Sequence, residues 1–269
     1  MNLNRGPGLI TILTDFGEDD WFVASMKGVI ASLAPRARMI DITHRVPPGD
    51  IRRGGLALRC AYRCFPPGTV HLAVVDPGVG TERGVLAARA GGYVFVAPDN
   101  GLLSWILREE KDRTVFRAEK RELFLPEIST TFHGRDVFAP LAGRLAAGLP
   151  VEETGPLHPE PVIFPPPLLR SRGEGCWEAE IIGRDRFGNC LTSLTREETG
   201  GGGAAELILT AGHRDLRLPF ADCYGAVEDG GLLAVWGSCG FLELAVNGGS
   251  AARELGLADG ERITLRLRR

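Results

Sequence analysis

Along the first half of the chain, short apolar runs alternate with segments whose apolar residues recur every three or four positions. The run "LITILTD" at residues 9–15 reads as a strand. After it, Phe22, Met26, Val29, Ile30 and Leu33 share one face of a helix, which Pro35 ends. "RMIDIT" gives a second strand, Ile51 to Cys64 a second helix closed by "PPG", and "VHLAVVD" a third strand. "VLAAR" and "YVFVAPDNG" read as two more strands, with turns at "DPGVG" and "GG", and Asp136 to Ala147 as a further helix. Strand, helix, strand, helix, strand in this rhythm predicts an α/β domain with a mostly parallel sheet flanked by helices.

The pattern then changes. Residues 155–168, "GPLHPEPVIFPPPL", are proline-rich and read as extended chain. Beyond them "CWEAEIIGRD", "AELIL", "LLAVWG", "LELAV" and "RITLRLR" are short runs between glycine-containing turns, with one helical piece near Ala251 to Leu255. An all-β sandwich or barrel is expected. The predicted organisation is an α/β domain over 1–154, a linker over 155–170 and a smaller all-β domain over 171–269, with Gly200 to Gly203 as a loop tip.

Composition narrows the partners. With 269 residues, 44% hydrophobic and 24% charged, the chain can bury a full core, which excludes general disorder. A net charge of -3 and the lack of a basic run argue against nucleic acid. No stretch approaches the roughly 20 apolar residues of a membrane span, and the first residues lack the pattern of a signal peptide. Neither membrane nor export is expected, and the cytoplasm is the predicted location. The six cysteines form no compact disulfide framework; Cys60 and Cys64 lack a second Cys/His pair with ligand spacing and read as plain thiols.

In an open parallel sheet, ligands bind beyond the carboxyl ends of the strands. Those positions are acidic here: Asp15, with Asp19 and Asp20 close behind, then Asp76, then Asp99 beside Asn100. Turn formation or helix capping explains any one of them, Asp20 before Trp21 in particular, but several at one rim point to a polar site. Gly78, Gly80 and Gly84 follow a strand without opening a helix, so they form a tight turn rather than a phosphate cradle. That turn brings Arg83 back near Asp76. In "TTFHGRDVFAP", His133 lies in a turn ahead of a helix, a candidate proton acceptor or a structural ring. "GRDRFGNCLTSL" groups Asp185, Phe187 and Asn189 as polar edges beside a flat apolar face, or as a hairpin turn only. "WGSCGFLELAVNGGSAARELG" adds aromatics and exposed backbone around Ser238 and Ser250, which suit a purine.

Taken with "LTDFGEDDWFVASMKGVI", "DITHRVPPGDIRRGG", "FPPGTVHLAVVDPGVGTERG" and "APDNGLLSW", these segments resemble the S-adenosylmethionine hydroxide adenosyltransferases from near residue 10 to near residue 256. That family is related to the fluorinating and chlorinating enzymes that act on the same substrate. The resemblance implies that hydroxide displaces L-methionine from the ribose 5′ carbon of S-adenosylmethionine, giving adenosine. It implies a catalytic set of Asp76, Arg83 and His133, in which either Asp76 or His133 is the base. It implies Asp15 as the ribose-diol carboxylate and Asp20 and Asp185 near the methionine ammonium. Phe187, Asn189 and the backbone near Ser238 and Ala251 are then the adenine and methionine contacts. Neither cofactor nor metal is implied, and the expected assembly is a homotrimer with sites at subunit interfaces. Two positions depart from the relatives: Gly49 stands where the halogenating enzymes carry an aromatic wall, and Cys239 where serine is usual. Two rival readings are a metal-dependent phosphoesterase, built on the clustered aspartates and a histidine, and a non-catalytic nucleoside-binding module.

Overall fold

The computed structural model describes residues 8–200 and 204–268, so the loop tip expected at Gly200 to Gly203 lies largely outside the described residues. The chain forms two compact units, Met1–Phe164 and Pro165–Arg269. The first contains, in order, β1 (Leu9–Thr14), α1 (Phe22–Leu33), β2 (Arg38–Thr43), α2 (Ile51–Ala61), β3 (Val70–Val74), β4 (Val85–Ala90), β5 (Tyr93–Pro98), α3 (Ser104–Glu109), β6 (Arg113–Arg117) and α4 (Ala139–Ala146). Its sheet runs β2-β1-β3-β5-β4-β6.

The first four strands in that order are parallel, but β4 runs antiparallel to both β5 and β6. The sheet is therefore mixed, which corrects the expectation of a mostly parallel one. The cause is local: only Gly91 and Gly92 connect Ala90 to its partner Tyr93, and a two-residue link can join antiparallel neighbours only. Elsewhere the apolar pattern acts as expected. Ile10 and Ile12 of β1 pack with Met26 and Ile30 of α1 and Phe138 and Leu141 near and within α4. Leu13 points to the other face, with Leu58 of α2 and Ile106 of α3. A strand covered on both faces reads as a continuous apolar run, as β1 does.

β2 and β3 flank β1 on opposite sides, so the chain reverses its direction of travel across the sheet there. The crevice beyond the carboxyl ends of β1 and β3 is where such sheets bind ligands. Asp15 and Asp76 stand just past those two ends.

Residues 155–164 run along the first unit. Asp99 accepts from His158 Nε2 and from the Val162 amide, each at 2.8 Å, and the Phe164 amide donates to Ser104 Oγ at 2.9 Å. One of the acidic rim positions is thus engaged in fastening this stretch.

The second unit contains β7 (Leu169–Ser171), β8 (Cys176–Arg184), β9 (Cys190–Thr195), β10 (Glu206–Ala211), β11 (Arg214–Ala221), β12 (Leu232–Trp236), β13 (Phe241–Val246), α5 (Ala251–Leu255) and β14 (Arg262–Arg268). The order is β14-β10-β11-β12-β13-β9-β8-β7, and a further pairing of β14 with β8 closes it into a barrel. Ile181, Leu194, Leu207, Leu209, Leu244, Ile263 and Leu265 fill the interior. Among the described residues, no helix is long and apolar enough to cross a membrane.

Candidate active site

The turn after β3 is closed by backbone bonds from Val79 N–H to Asp76 O and from Thr81 N–H to Gly78 O. It returns Arg83 onto Asp76: Nε lies 3.0 and 2.9 Å from the two carboxylate oxygens, and Nη2 lies 2.5 Å from Oδ2. The pair is withdrawn from solvent, with side-chain exposures of 10% for Arg83 and 4% for Asp76. The same Nη2 donates to His133 Nδ1 at 2.7 Å, and the guanidinium lies 4.9 Å from the centre of the Phe138 ring. One arginine therefore holds both a carboxylate and an imidazole.

Gly80 makes the approach of the two loops possible. A Cβ there would lie 2.3 Å from the Thr130 carbonyl oxygen, and its φ of +79° lies in the left-handed region. His133 stands at the start of a single π-helical turn, Gly134–Phe138, that leads into α4. The expected helix beginning at Asp136 thus starts earlier and with a wider turn, a form found often at functional sites. Asp136 braces that turn from inside. Fully buried, it accepts from the Ser129 amide at 2.8 Å and from Arg135 Nε at 2.6 Å.

His133 accepts from arginine at Nδ1, so its neutral ring carries the proton on Nε2. Its pKa is lowered, first by burial and then by the positive charge of Arg83. Beside this network is a cavity of about 120 Å³ lined by Asp76, His133, Val74, Val79, Thr131 and the rings of Phe16, Phe22 and Phe132. The three rings form a cluster with centroids 5.1 to 6.1 Å apart. Few polar groups meet mostly apolar walls here, as in a pocket that holds water sparingly.

Asp15 lies across the crevice. Its Oδ2 accepts from the Gly49 amide at 2.7 Å. Its pKa is raised chiefly by burial, with the charge of Asp76 a smaller contribution in the same direction. Asp20 is exposed and does not cap α1, whose N-cap is Trp21 with no side-chain cap bond; the capping role considered for Asp20 is therefore absent.

In the second unit, Asp185 organises the link between β8 and β9. Oδ1 accepts from the Phe187 and Asn189 amides, each at 2.9 Å, and Oδ2 accepts from Asn189 Nδ2 at 2.8 Å. Phe187 at the tip is 76% exposed. The Ala252 amide donates to Gly188 O at 2.9 Å, which seats this turn beside the buried Ala251 at the start of α5. Ser238 is exposed in a turn closed by Gly240 N–H to Gly237 O. Next to it, the Glu243 side chain fills the space at Gly237, bonds Tyr224 and is raised in pKa mainly by burial.

Sequence reasoning missed the aromatic wall, Asp136 and Glu243. Phe16, Phe22 and Phe132 look like ordinary core residues in the sequence, and Asp136 reads there as the first residue of a helix. Among the described residues no group of three or more His, Cys, Asp or Glu has the geometry to hold a metal ion, and no disulfide joins any of the six cysteines.

A mixed α/β unit with an acidic switch-point crevice, joined in one chain to a β-barrel, defines a two-domain small-molecule enzyme class. Residues 10–155 match the family model of the SAM hydroxide adenosyltransferase N-terminal domain and residues 179–264 that of its C-terminal domain. The chain belongs to the SAM hydroxide adenosyltransferase family. It is 42% identical over 265 residues to the (R)-S-adenosyl-L-methionine hydrolase of Thermus thermophilus, covering 95% of this chain and 98% of that protein. The (R)-S-adenosyl-L-methionine hydrolase of Salinispora tropica is 41% identical over 262 residues, covering 94% and 96%. A crystal structure of an uncharacterized conserved protein from Thermotoga maritima superposes with a TM-score of 0.91 at 35% identity, covering 96% of this chain and 99% of that one.

Proposed function

We propose that this protein hydrolyses S-adenosyl-L-methionine to adenosine and L-methionine without a metal or a cofactor. One observation carries the reading: Asp76, Arg83 and His133 are joined in a single bonded network on the wall of a small aromatic cavity. Relatives at 41–42% identity named (R)-S-adenosyl-L-methionine hydrolase support the substrate.

In this mechanism a water oxygen forms a bond to the ribose 5′ carbon while the bond from that carbon to sulfur breaks. The electron pair leaves with sulfur as the neutral thioether of methionine, and the water proton passes to a base and then to solvent. Bulk water has a pKa of about 15.7, so generating the nucleophile is the hard part. Asp76 keeps acceptor positions beyond those given to Arg83 and is the proposed proton acceptor. His133, protonated on Nε2, is the proposed donor that orients the water, and Arg83 steadies the developing hydroxide. Hydroxide and sulfonium cancel each other's charge at the transition state. Apolar walls favour such a step, because the separated charges lose more solvation than the spread charge does. Arg83 belongs on the nucleophile's side, away from sulfur.

Asp15 is proposed to bind the ribose diol, and Asp20 and Asp185 the methionine ammonium. Phe187, Asn189 and the backbone near Ser238 and Ala251 are proposed to contact adenine and methionine. The deciding experiment is incubation with S-adenosyl-L-methionine in isotopically labelled water, followed by chromatography and mass spectrometry. Equal amounts of adenosine and methionine are expected, with label on the adenosine 5′ oxygen. Binding without turnover would leave a nucleoside-binding module. Activity lost to a chelator and restored by Mg²⁺ or Mn²⁺ would favour a phosphoesterase.

The finer proposals are a cytoplasmic location and a homotrimer with sites at subunit interfaces. Light scattering should give the mass of three chains. Mixing inactive His133→Ala subunits with inactive Asp185→Ala, Asn189→Ala subunits should restore part of the activity; no recovery after verified exchange would end the shared-site proposal.

A further inference from the structure

Gly49 stands between the two acidic loops at the switch point. Its amide donates to Asp15 Oδ2 at 2.7 Å, and a Cβ built on it would lie 3.8 Å from the Cβ of Pro77, the neighbour of Asp76. Its φ is +74°, a conformation that residues with an L side chain rarely adopt. The direction of the amide is therefore tied to the residue type. An ionised carboxylate offers about four acceptor positions. Around Asp15 the Gly49 amide takes one and the amide of Asp15 itself contributes a second interaction. A vicinal diol presents two hydroxyl donors and needs two acceptors.

We infer that Gly49 is a positioning residue for ribose-diol recognition: its left-handed backbone aims an amide at Asp15 Oδ2, fixing the carboxylate so that the acceptor positions left over meet the 2′ and 3′ hydroxyls. The inference rests on the assignment of an adenosyl substrate to this site. Alanine at 49 would relax towards negative φ, rotate the peptide and withdraw the amide from Asp15. Asparagine tolerates the left-handed region and would keep it in place.

Calorimetry with adenosine, 2′-deoxyadenosine and 3′-deoxyadenosine, run on the full protein and on its Gly49→Ala, Gly49→Asn and Asp15→Asn variants, tests this without requiring turnover. The unmodified protein should bind each deoxynucleoside about 10- to 100-fold more weakly than adenosine, the worth of one bond to a charged group. Gly49→Ala should flatten that preference to within about threefold, as should Asp15→Asn, while Gly49→Asn retains most of it. In turnover, Gly49→Ala should raise KM for S-adenosyl-L-methionine while kcat changes little. Equal behaviour of the alanine and asparagine variants, or undiminished discrimination in Gly49→Ala, would overturn the inference. If the alanine variant does not fold, Asp15→Asn decides: discrimination preserved without the carboxylate also overturns it. A protein that binds adenosine with this preference yet releases no methionine would sink the hydrolase reading and leave the role of Gly49 standing.

Discussion

Asp76 and Asp185 both follow a strand and both spend their oxygens on nitrogen donors, but the donors come from different distances along the chain. Asp185 is satisfied by amides and a side chain within its own turn. Asp76 is satisfied by Arg83, and Arg83 reaches on to His133, 50 residues further along. The charges differ as well. The donors to Asp185 are uncharged amides, whereas the donor to Asp76 is a guanidinium. The Asp76–Arg83 pair is neutral overall and polar, suited to ordering a water molecule near a cation without capturing the cation. The turn is made by its own sequence; the network of Asp76, Arg83 and His133 exists only when the fold brings separate loops together.

The most severe way to break the second arrangement is Arg83→Met. Turnover should fall about 100- to 1,000-fold, as when a charge-stabilising donor is removed. A carboxylate 4% exposed would be left without its cation, at a stability cost of about 3–5 kcal/mol. Adenosine release and a denaturant midpoint measure the two effects; full activity would remove Arg83 from the chemistry.

Gly80→Ala attacks the approach itself and leaves every polar group in place. The added Cβ would press on the Thr130 carbonyl, the loops should separate, and kcat should drop about 100-fold, the cost of misplacing groups by roughly 1 Å. A crystal structure of the variant with the contact from Arg83 to His133 intact would contradict this.

Asp185→Ala breaks the local arrangement. It should cost about 1–2 kcal/mol of stability and raise KM about tenfold, with kcat at saturation nearly unchanged, as the binding role proposed for this turn requires. A loss confined to kcat would mean that the two regions do not divide binding from chemistry.

The smallest effect is on pH dependence. The lowered pKa of His133 means that its proton is taken up only below the usual value of about 6.5, where Nδ1 would cease to accept from Arg83. The rate kcat/KM should stay level as pH falls through 6.5 and decline only below it. An acidic limb at or above 6.5 that disappears in His133→Gln would show an unshifted histidine.

How much was legible follows the same division. β1, α1, β2 and α5 lie where the apolar pattern and their flanking residues put them, because each is decided by neighbours in sequence. The six-residue α3 is too short to display a period, and β6, with exposed arginines at both ends, carries little apolar signal. The strand order, and with it the mixed sheet, depends on which edge accepts the β4–β5 pair, which no local pattern encodes. In the site, Arg83 meeting Asp76 could be read because one tight turn separates them. The bond to His133 depends on two backbones touching at Gly80, and the aromatic wall on three rings from separate segments; neither has a local signature.

The pairing of β14 with β8 has a consequence for how the protein is made. Every neighbour of β12 and β13 is available as soon as β13 has been synthesised, yet β8 must wait with one edge incompletely paired until β14 emerges. The first unit has no such debt, since all its strands and helices precede the barrel and it can fold while the ribosome is still working. During translation the chain should therefore pass through a state with a finished α/β unit beside an open sheet, and the exposed edge of β8 is the place where a premature stop or a stalled ribosome would invite aggregation.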